Sequence, residues 1–215
     1  MNARYSVMLA IAAAALVTAP GALAQAVDRT PRAPASGAAL HRQIQNDPVL
    51  PTIAPAGADV TLVLFSDYQC PYCRKVHPTI EQLRREDPKI RVVYRDWPIF
   101  GAISREAARA AIAVNYQGRH TAFNNALMQT QGRITSQSIR VAADRAGVNW
   151  ARLQADLAAH GDAIDAAIAR TGRFAATIGL AGTPALLIGR YLLPGAADLA
   201  TMREAVAAAR AGATD

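Results

Sequence analysis

The chain of 215 residues contains two cysteines, and they stand three positions apart in Cys70-Pro71-Tyr72-Cys73. Thiols at i and i+3 share one side of a helical turn, a spacing that lets them close a disulfide across it. If that turn opens a helix, the free backbone N–H groups and the positive end of the helix dipole are directed at the Cys70 sulfur. Both favour thiolate over thiol, so Cys70 is expected to ionise more readily than a free cysteine. Cys73 lies one turn further in, shielded by the chain, and is the natural resolving thiol. Arg74 and Lys75 add positive charge nearby and read as solvated.

Three other uses of a Cys-x-x-Cys pair compete with redox exchange. A zinc site needs two more ligands, whereas His41, His77, His120 and His160 are scattered and only His77 falls near. A purely structural disulfide here closes a tiny loop and constrains little of the unfolded chain. Copper(I) held by both thiolates is chemically reasonable, because soft sulfur suits that ion. The surrounding elements favour redox chemistry, with no metal and no cofactor required.

Those elements are a strand, a polar connector and a helix. Val60 to Phe65 is a continuous apolar run that reads as a buried strand, and Ser66 to Gln69 is the connector. From Cys70 to about Glu86, Val76, Ile80 and Leu83 line one helical face, with Pro71 where a first-turn proline is tolerated. Ile90 to Tyr94 is a second strand, bounded by Asp87-Pro88 and Trp97-Pro98. Residues 102 to about 178 read as five helices. Ser104 is the predicted N-cap of the first and Gly118 its stop, and the last two are divided near Gly161. Their apolar stripes are core packing. Ala185 to Ile188 and Tyr191 to Leu193 form a hairpin about Gly189-Arg190, and a helix from Asp198 to Arg210 follows. Gly182-Thr183-Pro184 stands immediately before the hairpin, and a proline opening a strand must sit at an edge or in a special turn, because it cannot donate to the ladder.

Composition bounds what remains. Hydrophobic residues make up 52% and charged residues 18%, enough apolar content for a real core. The net charge of +7 is scattered without a basic run, which gives nucleic-acid binding little support. Met1 to Ala24 has the three-part plan of a secretory signal peptide: Arg4, the apolar run Val7 to Val17, and Ala22-Leu23-Ala24 before the cut. The mature protein is therefore expected in an oxidising space outside the cytoplasm, the periplasm. Residues 25–57, with five prolines and many small residues, read as a flexible leader or a short oligomerisation arm. A short helix is possible over Ala39 to Asn46, stopped by Asp47-Pro48.

Taken together, Phe65-Ser66-Asp67-Tyr68-Gln69-Cys70-Pro71-Tyr72-Cys73, the following His77-Pro78 and Gly182-Thr183-Pro184 resemble the exported DsbA-like branch of the thioredoxin superfamily. The active-site sequence is ScsC-like or DsbG-like. The resemblance implies an α/β thioredoxin-like fold built from residues 58–101 and 179–211, with a helical domain inserted at 102–178. It implies that Cys70 is the catalytic nucleophile with Cys73 as its partner, and that Pro71 and Tyr72 tune the pair. Pro184 would be cis and face the disulfide, and the Thr183 backbone would pair with an incoming peptide as an added strand. The implied partners are exported cysteine-containing proteins and a membrane redox protein of DsbB or DsbD/ScsB type.

Two departures from the family pattern carry consequences. Tyr72 stands where DsbA itself has histidine and cannot offer a cationic hydrogen bond to the Cys70 thiolate. The potential is therefore expected between about −120 mV for DsbA and the glutaredoxin range of about −200 to −230 mV. Leu64 occupies the position, six before the first cysteine, where many relatives carry an acid, so water or Asp67 must move the Cys73 proton. Thr183 and Tyr72 look like isomerase-type relatives, yet 25–57 offers only a short arm, so oxidase or general exchange is favoured. The alternatives are a disulfide isomerase or reductase and a copper(I)-handling thiol protein. His77, one turn beyond Cys73, reads as a packing residue more readily than as a tuner of the thiols, and Pro78 should kink the helix by removing a hydrogen bond to the Arg74 carbonyl.

Overall fold

The computed structural model describes residues 37–212. The expected signal peptide and the first part of the leader lie outside the described residues.

β2 (Val60–Ser66) and β3 (Ile90–Asp96) run parallel at the centre of a five-stranded sheet. They are joined by α2 (Pro71–Glu86). On one side of β2 lies β4 (Ala185–Ile188), antiparallel, followed by β5 (Tyr191–Pro194) at the edge. On the other edge β1 (Thr52–Ile53) pairs antiparallel with β3. The sheet order is therefore β1-β3-β2-β4-β5. α7 (Leu199–Ala211) closes the fold, capped at its N-terminus by the Asp198 carboxylate, which accepts from Thr201 N at 2.8 Å.

Alternation along the strands sends successive side chains to opposite faces. Val60, Leu62 and Leu64 join Ile90, Val92 and Tyr94 in a core with Val76, Ile80 and Leu83 of α2 and Met202 and Val206 of α7. Val63, Phe65 and Val93 face the other way, into a core with Ile44 and Ala175. The sheet is buried on both faces, which is why β2 reads as an unbroken apolar run rather than an alternating one.

Between β3 and β4 come α3 (Ala102–Ala113), a 3₁₀ turn (Val114–Gln117), α4 (His120–Met128), α5 (Ser136–Arg145) and α6 (Trp150–Thr177). α3 to α6 share a core that includes Ile112, Phe123, Leu127, Ile139, Leu153 and Ile164.

Two expectations are corrected. The helix break near Gly161 does not occur: α6 runs unbroken for 28 residues. A Cβ at Gly161 would stand 3.1 Å from the Arg109 guanidinium, so glycine here admits a close neighbour, and packing against α3 outweighs its weak helix propensity of about 1 kcal/mol. The last turns of α6 reach the sheet, where Phe174, Ala175 and Ile178 pack in the core beneath it. Second, residues 37–57 are not a loose leader. α1 (Gly37–Gln45), close to the expected short helix, buries Ile44, and β1 extends the sheet. The fully buried Arg95 donates to the carbonyls of Ile44 (2.6 Å) and Gln43 (2.9 Å), satisfying the C-terminus of α1. Asp47, just beyond that helix, is held by the Arg170 guanidinium through both carboxylate oxygens.

Candidate active site

Cys70 is the N-cap of α2, with extended backbone at φ −70° and ψ 118°, and Pro71 follows at the first helical position. The chain turns into the helix through two backbone bonds, Cys70 N–H to Asp67 O (3.0 Å) and Arg74 N–H to Cys70 O (3.2 Å). Both thiols are free, and both residues are buried: Cys70 is 2% exposed and Cys73 1%. Tyr72 between them is 63% exposed.

The Thr183–Pro184 peptide is cis. It brings the Thr183 carbonyl to 3.2 Å from the Cys70 sulfur, which donates to it across 113 residues of sequence. Cys70, Cys73, Thr183 and Pro184 are thus drawn together by the β2–α2 connection on one side and the start of β4 on the other. The Cys73 sulfur accepts a hydrogen bond from Asp67 N at 3.5 Å. Burial pushes the Cys73 thiol far above the ordinary thiol range, and that amide opposes the shift. Burial thus favours the thiol form of Cys73 over the thiolate in the reduced pair. The buried Thr183 hydroxyl lies near the Cys73 sulfur without meeting hydrogen-bond geometry.

The neighbouring strand ends on a buried acid. Asp96, paired in register with Ser66, is 1% exposed, and neither of its carboxyl oxygens accepts a hydrogen bond among the described residues. Burial, reinforced by the Asp67 carboxylate, raises its pKa well above the ordinary range. The Tyr68 hydroxyl lies close by, but its hydrogen bond goes to Asn124 Oδ1 at 3.2 Å. Asp96 lies beyond the strand expected over Ile90 to Tyr94, so no residue pattern marked this carboxyl as buried.

Asp67, one of the two expected carriers of the Cys73 proton, is engaged elsewhere. Its Oδ1 accepts from Gln69 N (2.8 Å) and Ser104 Oγ (2.7 Å), and its Oδ2 accepts from Ile99 N (2.7 Å) and Phe100 N (3.1 Å). Ser104 is accordingly not the cap of α3. That helix starts two residues earlier behind Gly101, whose φ of +93° suits glycine. Arg74 is not a solvated charge either: its guanidinium donates to the carbonyls of Tyr68 (2.8 Å), Thr130 (3.2 Å) and Gly132 (2.5 Å), fastening α2 to the loop after α4. His77 is buried and its Nε2 meets Asn125 Oδ1 of α4 at 2.9 Å, and burial lowers its pKa. It bonds to the insertion and makes no hydrogen bond to either sulfur. Pro78 lies inside α2, which continues through it.

The sequence profile of the DSBA-like thioredoxin domain matches residues 61–207. The chain belongs to that family. Among solved structures it is similar to a thioredoxin-like oxidoreductase from Silicibacter pomeroyi, 38% identical at a TM-score of 0.73, covering 78% of this chain and 96% of that one. A periplasmic thioredoxin-like protein from Salmonella enterica serovar Typhimurium is 30% identical at 0.69, covering 80% of this chain and 96% of that one. The thiol-disulfide exchange protein α-DsbA2 from Wolbachia pipientis is 28% identical at 0.74, covering 78% and 91%. A curated sequence relative, the Na(+)/H(+) antiporter NhaA 1 of Salinispora arenicola, is 28% identical over 160 residues, 74% of this chain. The chain spans about a quarter of that relative's length. No helix among the described residues is long and apolar enough to cross a membrane. The fold is thus the DsbA-like α/β thioredoxin fold with an inserted helical domain, shared with solved structures of an oxidoreductase and of a thiol-disulfide exchange protein.

Proposed function

We propose that the protein is a periplasmic thiol–disulfide oxidoreductase that exchanges disulfides with exported proteins through Cys70 and Cys73, working as an oxidase or general exchanger. The observation that carries this reading is the contact between the Cys70 sulfur and the Thr183 carbonyl beside a cis proline, with the second sulfur buried behind it. A substrate thiolate attacks Cys70 Sγ of the oxidised pair, the Cys70–Cys73 bond breaks, and its electron pair leaves on Cys73. The raised pKa of Cys73 then draws a proton onto that sulfur. A second substrate thiolate attacks the substrate sulfur of the mixed disulfide and expels Cys70, so the substrate is oxidised by two electrons and the pair reduced. A membrane redox partner of DsbB or DsbD/ScsB type would restore the pair. The Thr183 backbone beside the nucleophile suits an extended peptide added along it.

The exchanger reading is favoured over isomerase by the N-terminal segment. Residues 37–57 are occupied by the domain itself through Ile44, Asp47 and β1, which leaves little of 25–57 to serve as an arm. The signal peptide read from Met1 to Ala24 supports export, and one of the similar solved structures is of a periplasmic protein. Insulin reduction by dithiothreitol, with and without the mature protein, tests the activity. Wild type should accelerate it and Cys70→Ser should not; acceleration retained in Cys70→Ser would remove Cys70 from the mechanism.

A further inference from the structure

The Asp67 carboxylate accepts four hydrogen bonds, from Gln69 in the connector before α2, from the exposed Ile99–Phe100 loop after β3 and from the first turn of α3, while the N–H of the same residue is the donor to the Cys73 sulfur. Its carbonyl also receives the Cys70 N–H. One residue therefore ties the connector before α2 to a stretch 32 to 37 residues further on and spans both cysteines through its main chain. A buried carboxylate is expensive without partners, and four donors are far more than a turn between strand and helix requires. Gln69 Nε2 adds a second tie to the same loop, donating to Phe100 O at 3.4 Å.

The geometry points to Asp67 as a positioning residue for the exchange step: its carboxylate pins the backbone so that its amide stabilises the negative charge that appears on Cys73. This rests on the exchange reading above. When a substrate thiolate bonds to Cys70 Sγ and the Cys70–Cys73 bond breaks, the departing electron pair collects on Cys73 Sγ, 3.5 Å from the Asp67 nitrogen. A donor held there beforehand is worth more in the transition state than in the oxidised ground state, where that sulfur is neutral. When Cys70 is the leaving group, no charge develops on Cys73 and the amide has nothing to stabilise.

Asp67→Asn keeps the shape but replaces one acceptor oxygen by an NH₂ group that cannot accept from the N–H donors around it. The test compares two steps. In the first, the oxidised pair is attacked by glutathione, with Cys73 leaving. In the second, a glutathione mixed disulfide at Cys70, prepared in Cys73→Ala, is attacked by glutathione, with Cys70 leaving. Asp67→Asn should slow the first step by a factor of about 10 to 100, the range of one hydrogen bond to a charged group. Added to Cys73→Ala, it should leave the second step within about twofold. Ser104→Ala removes a single donor, keeps the carboxylate, and should slow only the first step by a few fold; it serves if Asp67→Asn does not fold. An unchanged or faster first step, or equal slowing of both, overturns the proposal. Protein with Asp67 intact that exchanges with glutathione in neither step would instead defeat the exchange reading.

Discussion

Arg95 and Asp96 are consecutive residues of β3 that point to opposite faces of the sheet, and both are buried. Beneath the sheet, Arg95 has its partners: two carbonyls at the end of α1, the Thr171 hydroxyl at 3.3 Å, Asp47 at 4.0 Å and the Phe174 ring at 4.8 Å. Above it, Asp96 has no hydrogen bond among the described residues, and the nearby charge is the like charge of Asp67. A buried ion with full partners holds elements in place. A buried group left short of partners is held there by the rest of the fold, and such groups concentrate where chemistry is done. The lower region thus fastens the N-terminal segment and α6 to the sheet, whereas the upper one leaves a buried carboxyl short of partners beside the Asp67 carboxylate.

The largest effect should come from breaking the lower region. Arg95→Met leaves the α1 carbonyls without donors and should cost about 3–5 kcal/mol in urea unfolding. The exchange rate of the folded fraction should be unchanged. A cost below about 1 kcal/mol would mean that the network is dispensable.

A second test uses acid. His120 is buried against Tyr94, with ring centroids 4.6 Å apart, and burial pushes its pKa down to about 3. The unfolded chain takes up this proton below its ordinary value of about 6.5, whereas the folded chain resists it until about pH 3. Its contribution is therefore complete above pH 6.5 and is lost as the pH falls towards 3, by about 3 kcal/mol between pH 6.5 and 4. Denaturant titrations across this range should show that slope in wild type and a shallower one in His120→Leu; parallel slopes would refute it.

Asp96 gives the smallest effect, with the opposite sign. Its folded pKa is raised, so the unfolded chain releases the proton first, above the ordinary value of 3.8, and stability falls as the pH climbs from there towards the raised value. Asp96→Asn, which does not titrate, should match wild type near pH 3.5 and become progressively more stable than it as the pH rises to 7. A variant less stable than wild type at pH 7 would show that Asp96 is ionised and paired.

The difference between the two regions also explains what could be read in advance. β2, β3 and the β4–β5 hairpin were legible because β-branched and apolar runs ended at glycine, proline and aspartate. The cysteine pair and Thr183-Pro184 were legible because residue type and spacing alone limit their chemistry. β1 was not, since two residues pairing with β3 leave no periodic signal. Nor was the role of Arg95, whose partners lie 51 and 76 residues away. Asp67 was noticed only as a possible proton carrier, because its four donors meet only once the loop after β3 folds back over it. The single continuous α6 was hidden by Gly161, where local propensity yields to packing.

The central claim is that Cys70 is the atom through which substrates are held. Cys73→Ala, incubated with a cysteine peptide activated as a mixed disulfide and analysed by intact mass, tests it most directly. The account predicts one peptide per chain, bound at Cys70 and stable without added thiol, while wild type expels the peptide and closes its own disulfide. A Cys73→Ala protein that folds yet acquires no adduct would contradict it.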